Sequence, residues 1–477
     1  MRLAQPGTIQ HSKPHFLSHF VPPSPHRWSM TSLAILLCLS IFGYITTAAQ
    51  LIHSFAASEI LTKDFKQEYL FATAILNGAN PYVPLDQLAQ AYMPEAVQYS
   101  WRHVIGHPPF IAVFVTPLGL VSYRTAALIW LIFELALLGG TAYLLVRHHT
   151  REHTITLSVA LAGLLLLWPP VSQDLYFGQL NIPMCICLIG SWLAFRSGRM
   201  RLAGFLVGLA TSIKLLPGVL ILYFVVTHRW RAAAWAAGSA AMLTLSACAI
   251  LGPDTTRAYV ERGIVEGAYW RAALTNYSLA GAVSHLFIGT LDLDGRLFVF
   301  RETPIFSPLV DAPWLATPAW ILLSAWVVLR TIRIVVRAND LDCEISLFGC
   351  TMILVSPVAW QHYLVLLIPS IYVVGSRLRD RAWPRHETNR FLGALVLLSM
   401  PSLVVGIVGL LLGALLSTQG TYPLPWVASI PLLLLPTGIL LLYGSVVNEL
   451  RVSGGCRTSW LKSDERATES LFLEATD

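Results

Sequence analysis

Asp64 is the acidic side chain whose position best suits a general base. It follows the first strongly apolar segment, residues 30–55, and leads an amphipathic stretch from Phe65 to Leu76. A hydroxyl group becomes a nucleophile when a carboxylate within hydrogen-bonding distance accepts its proton. The competing interpretation is an N-cap, because the helix dipole favours an acidic group at a helix start. Glu68 lies one turn further on and is expected to orient its neighbours or form a salt bridge.

Lys214 lies within an apolar stretch that continues as Leu215-Leu-Pro217. A lysine at the centre of a membrane helix costs about 2.5–3.5 kcal/mol on insertion scales. A bound phosphate or pyrophosphate would offset that cost, because the lysine ammonium is a compact charge suited to an anion. The alternative is a lysine that extends to the membrane interface without binding a ligand.

Other polar side chains interrupt the apolar sequence. His362 lies beside Trp360 and is either a donor to the same phosphate or part of an interfacial aromatic cluster. Gln179 and Asn181 follow Gly178 and are candidates for hydrogen bonds to sugar hydroxyls or for a helix cap. These residue types together suit a site that binds a phosphorylated sugar.

Weaker signals accompany these residues. His107 and Arg102 would add positive potential at the surface, although ordinary loop charge is the favoured account of Arg102. Asn276-Tyr-Ser278 matches the N-x-S acceptor pattern, but glycosylation is not favoured in what looks like a bacterial protein. Cys185 and Cys187 form C-x-C without a matching His or Cys pair, so we interpret them as packing residues and predict no metal site.

The composition places these residues in a membrane protein. The chain of 477 residues is 55% hydrophobic and 12% charged, with a mean hydropathy of +0.62, whereas a soluble domain carries about 25% charged residues. This predicts an all-α polytopic protein with about 10–13 transmembrane or re-entrant helices. About 20 residues cross a bilayer, and the apolar segments lie near 30–55, 110–122, 124–146, 154–171, 180–195, 203–227, 231–251, 313–336, 344–357, 361–376, 390–416 and 426–447.

Basic clusters predict which ends of these segments are cytoplasmic. They lie at 26–27, 147–151, 196–201, 228–231, 330–337, 377–390 and 451. The segments then alternate if 110–122 does not change sides and 203–227 folds into two arms about Lys214, where Pro217 discourages a continuous helix. The outer segments are 56–108, 172–179, 252–312, 357–361 and 417–425. All the polar candidates above then fall on one outer face, in a domain of residues 30–450 flanked by cytoplasmic tails 1–29 and 451–477.

Several motifs together resemble glycosyltransferase family 87. The chain has no P-loop, G-x-G-x-x-G, D-x-D or H-E-x-x-H, which disfavours an enzyme that uses a D-x-D-bound metal. It does carry the following resembling motifs: Asp64-Phe…Tyr69, Gly78…Pro81-Tyr82, Gly178-Gln-Leu-Asn181, Gly204…Lys214-Leu-Leu-Pro217, Asn276-Tyr-Ser-Leu279 and Ser356-Pro…Trp360-Gln-His362. The resemblance spans roughly residues 30 to 450, and its most specific part runs from Gly178 to Pro217. Departures are His107 in His-Pro-Pro, where the family commonly has Tyr, and Gln361, where an acidic residue is common.

The resemblance implies a GT-C-type fold with a large first outer loop and an inverting sugar transfer from a polyprenyl-phosphate sugar. Asp64 would be the base, Lys214 and His362 would lie near the donor phosphate, and Gln179 and Asn181 near the sugar. The remaining substrate-binding candidates are Glu68, Tyr69, Tyr82, His107, Asn276 and Trp360. The implied acceptor is a glycolipid or polysaccharide, with membrane lipids but no nucleic acid as partners, at the outer face of a bacterial plasma membrane. No cofactor is expected.

Two other classes of protein share some of these features. A transporter or lipid flippase would also carry an intramembrane lysine, but its polar residues would lie near the membrane midplane. A polymerase or ligase acting on polyprenyl-linked polysaccharide would use arginines in outer loops. The segment 252–312 contains five of them: Arg257, Arg262, Arg271, Arg296 and Arg301.

Overall fold

The computed structural model describes residues 30–150, 153–263, 265, 269–292, 301–380, 383–416 and 423–452. The predicted cytoplasmic tail 1–29 lies outside these residues, as do most of the tail predicted at 451–477 and parts of the outer segments 252–312 and 417–425. Helices dominate the described chain. This confirms the prediction of an all-α polytopic membrane protein.

The α-helices follow one another along the chain with short connections. They are Met30–Ser54, Lys66–Leu76, Leu85–Tyr92, Pro109–Phe114, Tyr123–His149, Thr154–Leu167, Pro169–Phe177, Asn181–Arg196, Met200–Ile213, Val219–Val226, Trp230–Leu251, Pro253–Ala258, Leu279–Phe287, Pro313–Val335, Leu341–Val355, Ile368–Asp380, Arg385–Ser399 and Ser402–Leu416, followed by a helical span Trp426–Val452. Short 3₁₀ or π segments are Glu59–Thr62, Pro94–Tyr99, Thr116–Leu120, Leu216–Gly218, Tyr259–Gly263, Tyr269–Ala272, Gln361–Leu367 and Trp426–Leu433. One antiparallel strand pair, Thr290–Asp292 with Arg301–Phe306, lies in the outer segment 252–312.

Five helices in the described chain are long and apolar enough to cross a membrane. They are Ala34–Ser54, Tyr123–His149, Trp230–Leu251, Pro313–Val335 and Trp426–Val452. Two bent pairs raise that number to seven if each pair is a single span: Thr154–Leu167 with Pro169–Phe177, and Arg385–Ser399 with Val404–Leu416, each bent by 82°. Shorter apolar helices are Pro109–Leu120, Asn181–Arg196, Met200–Ile213 and Leu216–Val226.

The two irregular segments predicted from proline and length have the expected form. The piece predicted at 110–122 is a short helix followed by a 3₁₀ turn. The segment 203–227 breaks at Lys214, which takes an extended conformation after the helix Met200–Ile213. A lone helix across the whole segment is prevented because Pro217 cannot continue it.

Residues 172–179, expected as an outer loop, are instead mostly helical. The helix Pro169–Phe177 starts at a Pro-Pro pair. Proline is tolerated in the first helical turn, and it pushes the preceding residue, Trp168, into an extended conformation. The chain therefore turns sharply and begins a new helix here. The outer segment 56–108 is likewise a folded set of short helices and not an open loop.

Two of the basic clusters predicted to share one side of the membrane meet in space. Arg196, at the end of its helix, forms an ion pair with Asp342, and Arg377 forms ion pairs with Asp340 and Asp342. Glu449, from the last span, lies 3.5 Å from Arg377. These contacts put the clusters at one end of the bundle. Which side of the membrane that end faces stays a prediction.

Candidate active site

A cavity of about 180 Å³ gathers polar residues that are distant in the sequence. Six residues singled out from the sequence line it: Asp64, His107, Gln179, Lys214, Trp360 and His362. Gln67, Trp101, Trp270 and Tyr363 also line it and were not singled out. The wall thus combines one carboxylate, several cationic or amide groups and a set of aromatic rings.

Asp64 and Lys214 are joined through the amide of Gln179. Gln179 Nε2 donates to Asp64 Oδ2 at 2.6 Å, and Lys214 Nζ donates to Gln179 Oε1 at 3.3 Å. The two bonds agree on which end of the amide carries oxygen, since the ammonium has no acceptor capacity. All three side chains are at most 9% exposed. The base candidate and the cation candidate therefore belong to one buried polar network.

Asp64 does not cap the helix that follows it. The residue at the N-cap of Lys66–Leu76 is Phe65, whose side chain makes no capping bond, while the carboxylate of Asp64 accepts from Gln179 across the cavity. Of the two roles weighed from the sequence, the geometry favours a carboxylate that faces a ligand.

A turn at Gly178 holds Gln179 against the Asp64 segment. Gly178 has φ +67°, in the left-handed region, and ends the helix Pro169–Phe177. Phe65 N–H donates to Phe177 O at 3.0 Å, and a Cβ on Gly178 would lie 2.8 Å from Phe65 Cβ. Glycine is therefore required twice here, for the backbone conformation and for the close approach.

Lys214 is held at the end of a helix that packs closely on its neighbour. A Cβ on Gly204 or Gly208 would lie within 2.4 Å of backbone oxygens of the helix Trp230–Leu251, so small residues let the two helices touch. Beyond Ile213 the backbone is extended at Lys214. Its Nζ lies 3.3 Å from Tyr363 Oη and 4.3 Å from the centre of that ring. The lysine is thus buried and directed into the cavity, where its ammonium contacts side chains of the protein.

Two further buried lysines flank Asp64 along the chain. Lys63 Nζ donates to Tyr176 O, and Lys66 Nζ donates to Lys63 O at 3.4 Å. Burial lowers the pKa of each lysine to about 8, although the negative charge of Asp64 opposes that shift. Two buried lysine side chains therefore flank the base candidate along the chain.

His107 lies in the cavity wall and contacts Glu68 behind it. His107 Nδ1 is 2.9 Å from Glu68 Oε1, at an angle too poor for a hydrogen bond. Tyr82, fully buried, donates its hydroxyl to His107 O at 3.0 Å. Glu68 and Tyr82 are not part of the wall, and both support the segment that carries His107.

Asn276 lies outside the cavity wall and joins two loops that contribute to it. Its Nδ2 donates to Arg271 O and Pro357 O, both at 3.1 Å, and its Oδ1 accepts from the N–H groups of Ser278 and Ala359, both at 3.0 Å. These bonds occupy both donors and both lone pairs of the amide. At 1% exposure it is also inaccessible to a glycosylating enzyme.

Asn181 and Tyr69 likewise face the protein and not the cavity. Asn181 begins the helix Asn181–Arg196, and its Nδ2 donates to Asp174 Oδ1 at 2.6 Å, while Asp174 Oδ2 accepts from Ile182 N–H. Tyr69 donates its hydroxyl to Val121 O at 3.1 Å. Asp174, which the sequence did not single out, caps this helix start through these two bonds.

The cysteines in the described chain are unbridged. Cys185 and Cys187 are buried, and Cys185 Sγ lies 3.3 Å from Val365 O. Among the described residues, no three His, Cys, Asp or Glu side chains come together as a metal-binding group.

The sequence matches the family model of glycosyltransferase family 87 over residues 106–357. That range contains His107, Gln179, Asn181, Lys214 and Asn276. Asp64 and His362 lie outside it, and it is the cavity that brings them to the matched residues.

Similar proteins are known from mycobacteria. A polyprenol-phosphate-mannose-dependent alpha-(1-2)-phosphatidylinositol mannoside mannosyltransferase of Mycobacterium tuberculosis is 27% identical over 314 residues, which are 63% of this chain and 66% of that protein. A polyprenol-phosphate-mannose-dependent alpha-(1-2)-phosphatidylinositol pentamannoside mannosyltransferase of the same species is 28% identical over 296 residues, 58% of this chain and 60% of that protein. One with the latter description from Mycolicibacterium smegmatis is 28% identical over 267 residues, 55% of this chain and 59% of that protein. The chain thus matches less than two thirds of each relative's length.

Proposed function

The chain belongs to glycosyltransferase family 87, a family of GT-C type, and we propose that it transfers mannose or a related sugar from a polyprenyl-phosphate donor. The acceptor is a hydroxyl of a glycolipid or polysaccharide at the outer face of the membrane. One observation carries the proposal: Asp64, Lys214 and His362 line one cavity, and Gln179 connects the first two. The names of the relatives, which specify polyprenol-phosphate-mannose, support the donor class.

The proposed reaction is a single displacement with inversion. The acceptor oxygen forms a bond to the anomeric carbon as its proton passes to Asp64. The bond between the anomeric carbon and the phosphate oxygen breaks, and the lipid phosphate leaves with the electron pair. Lys214 and His362 stabilise the charge that develops on that phosphate, in a buried site where such contacts are strong.

The donor is tested with purified protein in lipid nanodiscs, given radiolabelled polyprenyl-phosphate sugars one at a time and a membrane lipid extract as acceptor. We expect label in a new glycolipid from polyprenyl-phosphate-mannose and none from guanosine diphosphate mannose. Transfer from the nucleotide sugar would overturn the proposed donor class. Binding of the lipid phosphate without any transfer would favour a transporter or a polymerase.

Orientation is tested by cysteine labelling in intact cells. Arg102 and Arg201 are both exposed, and Arg201 lies one helix length from Lys214, about 20 Å away. With Cys38 and Cys248 replaced by serine, Arg102→Cys should react with a membrane-impermeant maleimide from outside. Arg201→Cys should react only after permeabilisation, and the chain with neither arginine replaced measures background labelling. The opposite pattern would contradict an outer-face site.

Gly178→Ala tests whether the turn positions Asp64. Gly78 is the matched control, because its φ of +68° nearly equals that of Gly178 but no atom lies within 4 Å of its Cβ position. Both substitutions cost about 1–2 kcal/mol for the left-handed conformation. Only Gly178→Ala forces Phe65 aside, so we expect a lower kcat with unchanged donor KM for that variant alone. Equal losses in thermal stability and kcat for both variants would remove the positioning role.

A further inference from the structure

Three tryptophans from three separate loops meet in the cavity wall. Trp101, Trp270 and Trp360 are each partly exposed and line the cavity. The centre of the Trp270 ring lies 5.3 Å from that of Trp101 and 6.0 Å from that of Trp360, with interplanar angles of 70° and 75°. The His103 ring also contacts Trp270, with 5.9 Å between the ring centres. The wall therefore offers a ligand the part of each indole that remains exposed in the cavity.

The loops that carry these rings are fixed to one another. Asn276 bonds to Pro357 O and to Ala359 N–H, and Tyr277 N–H donates to Ala359 O at 2.7 Å. These bonds hold the segments of Trp270 and Trp360 side by side. Lys66 Nζ lies 5.3 Å from the centre of the Trp101 ring and links it to the segment of Asp64. The aromatic wall is therefore built in advance of any ligand.

Gln67 adds a polar group to this wall. It lines the cavity and is 6% exposed, and its backbone N–H donates to Asp64 O at 2.9 Å. Its side-chain amide has no hydrogen-bond partner among the described residues. The amide is open to the cavity, where the hydroxyl groups of a ligand would bond to it.

We propose that Gln67, Trp101, Trp270 and Trp360 form a subsite for a sugar ring of the acceptor. A hexopyranose carries an apolar face of C–H bonds that suits aromatic faces, and hydroxyl groups at its edge that suit Gln67. An isoprenoid chain has no group for that amide.

The contacts of Gln67 and Trp101 with the Asp64 segment assign the ring to the acceptor. Gln67 and Lys66 belong to the segment of Asp64, which takes a proton from the acceptor, whereas the donor phosphate is placed at Lys214 and His362. This assignment rests on the proposed function. The preferred acceptor is therefore a glycan or glycolipid that ends in a sugar, and an unglycosylated alcohol is a weaker acceptor that makes no use of the subsite.

The test uses nanodisc protein with radiolabelled polyprenyl-phosphate-mannose as donor and octyl α-mannoside or 1-octanol as acceptor. We expect Trp270→Leu and Gln67→Leu to raise the KM for octyl α-mannoside about tenfold. The donor KM and the hydrolysis of donor without acceptor should stay within about twofold, as should activity with 1-octanol. Trp270→Phe keeps an aromatic face and should lose less. Trp314→Leu, at an exposed tryptophan (74%), is the control.

Three results would overturn the subsite: a raised donor KM in place of the acceptor KM, an unchanged acceptor KM, or equal losses with both acceptors. Saturation-transfer NMR measures the binding of methyl α-mannoside to the same proteins. It tests the subsite independently of the transfer reaction. Binding that depends on Trp270 in a protein that transfers nothing would support the subsite and reject the proposed function. If the wild type transfers sugar but Trp270→Leu has the same acceptor KM, the proposed function is supported and the subsite is rejected.

Discussion

Asp64→Asn is expected to reduce sugar transfer by about 10²–10⁴-fold, the range that general base catalysis contributes. The asparagine cannot take a proton from the acceptor hydroxyl. Its carbonyl oxygen can still accept the bond from Gln179 Nε2, so the cavity should keep its shape and the donor KM should change little. The measurement is kcat with saturating donor and acceptor, alongside the thermal unfolding midpoint of the purified protein.

A matched control for this substitution is Asp311→Asn. Asp311 is an exposed aspartate in the outer segment 252–312 and does not line the cavity. Its loss should leave kcat unchanged. Near-normal turnover of Asp64→Asn would reject Asp64 as the base, and a large drop in its unfolding midpoint would assign the loss to folding.

Lys214→Ala should weaken donor use, with kcat/KM for the donor lowered about 10²–10³-fold. The ammonium is held in the cavity by Gln179 and Tyr363. Its positive charge would stabilise the negative charge that the leaving phosphate gains. Lys214→Arg keeps the charge and should lose less, although the planar guanidinium does not reproduce the compact ammonium. The measurement is kcat and KM for the donor in the two variants.

The control for Lys214 is Arg231→Ala, an exposed cation at the start of the helix Trp230–Leu251. It should leave donor kinetics unchanged. Equal losses for Lys214→Ala and Lys214→Arg would indicate a packing role. A loss confined to the acceptor KM would contradict the assignment of Lys214 to the donor phosphate.

The sequence predicted those features that depend on local chemistry. A proline three residues beyond Lys214 predicted the helix break there. The amides that follow Gly178 were singled out as candidates for bonds to a sugar or for a helix cap, but the turn at Gly178 was not predicted. Asp64, Lys214 and His362 were singled out as polar residues within or beside apolar sequence. Burying such groups without a partner is costly. All three line one cavity.

The sequence could not predict which loops meet. Trp101 and Trp270 have no distinctive neighbours in the sequence, and their place in the cavity follows from contacts between loops far apart in the chain. Asn276 was a substrate-binding candidate because its motif resembles one of the family's motifs. The structure instead has it bonding two loops together. The hydrophobic pattern of the sequence predicts helices but not which of them pack together. In the sequence, a residue that binds substrate therefore cannot be distinguished from one that holds a loop.

The most direct test of the central claim is the anomeric configuration of the product, determined by NMR after transfer from polyprenyl-phosphate-mannose by the purified protein in nanodiscs. We predict one glycosylated product for each polyprenyl phosphate released, with the configuration at the anomeric carbon inverted relative to the donor, and no product above background from Asp64→Asn. Retained configuration would contradict a single displacement assisted by Asp64. Absence of product from the wild type with every donor would contradict the proposed activity itself.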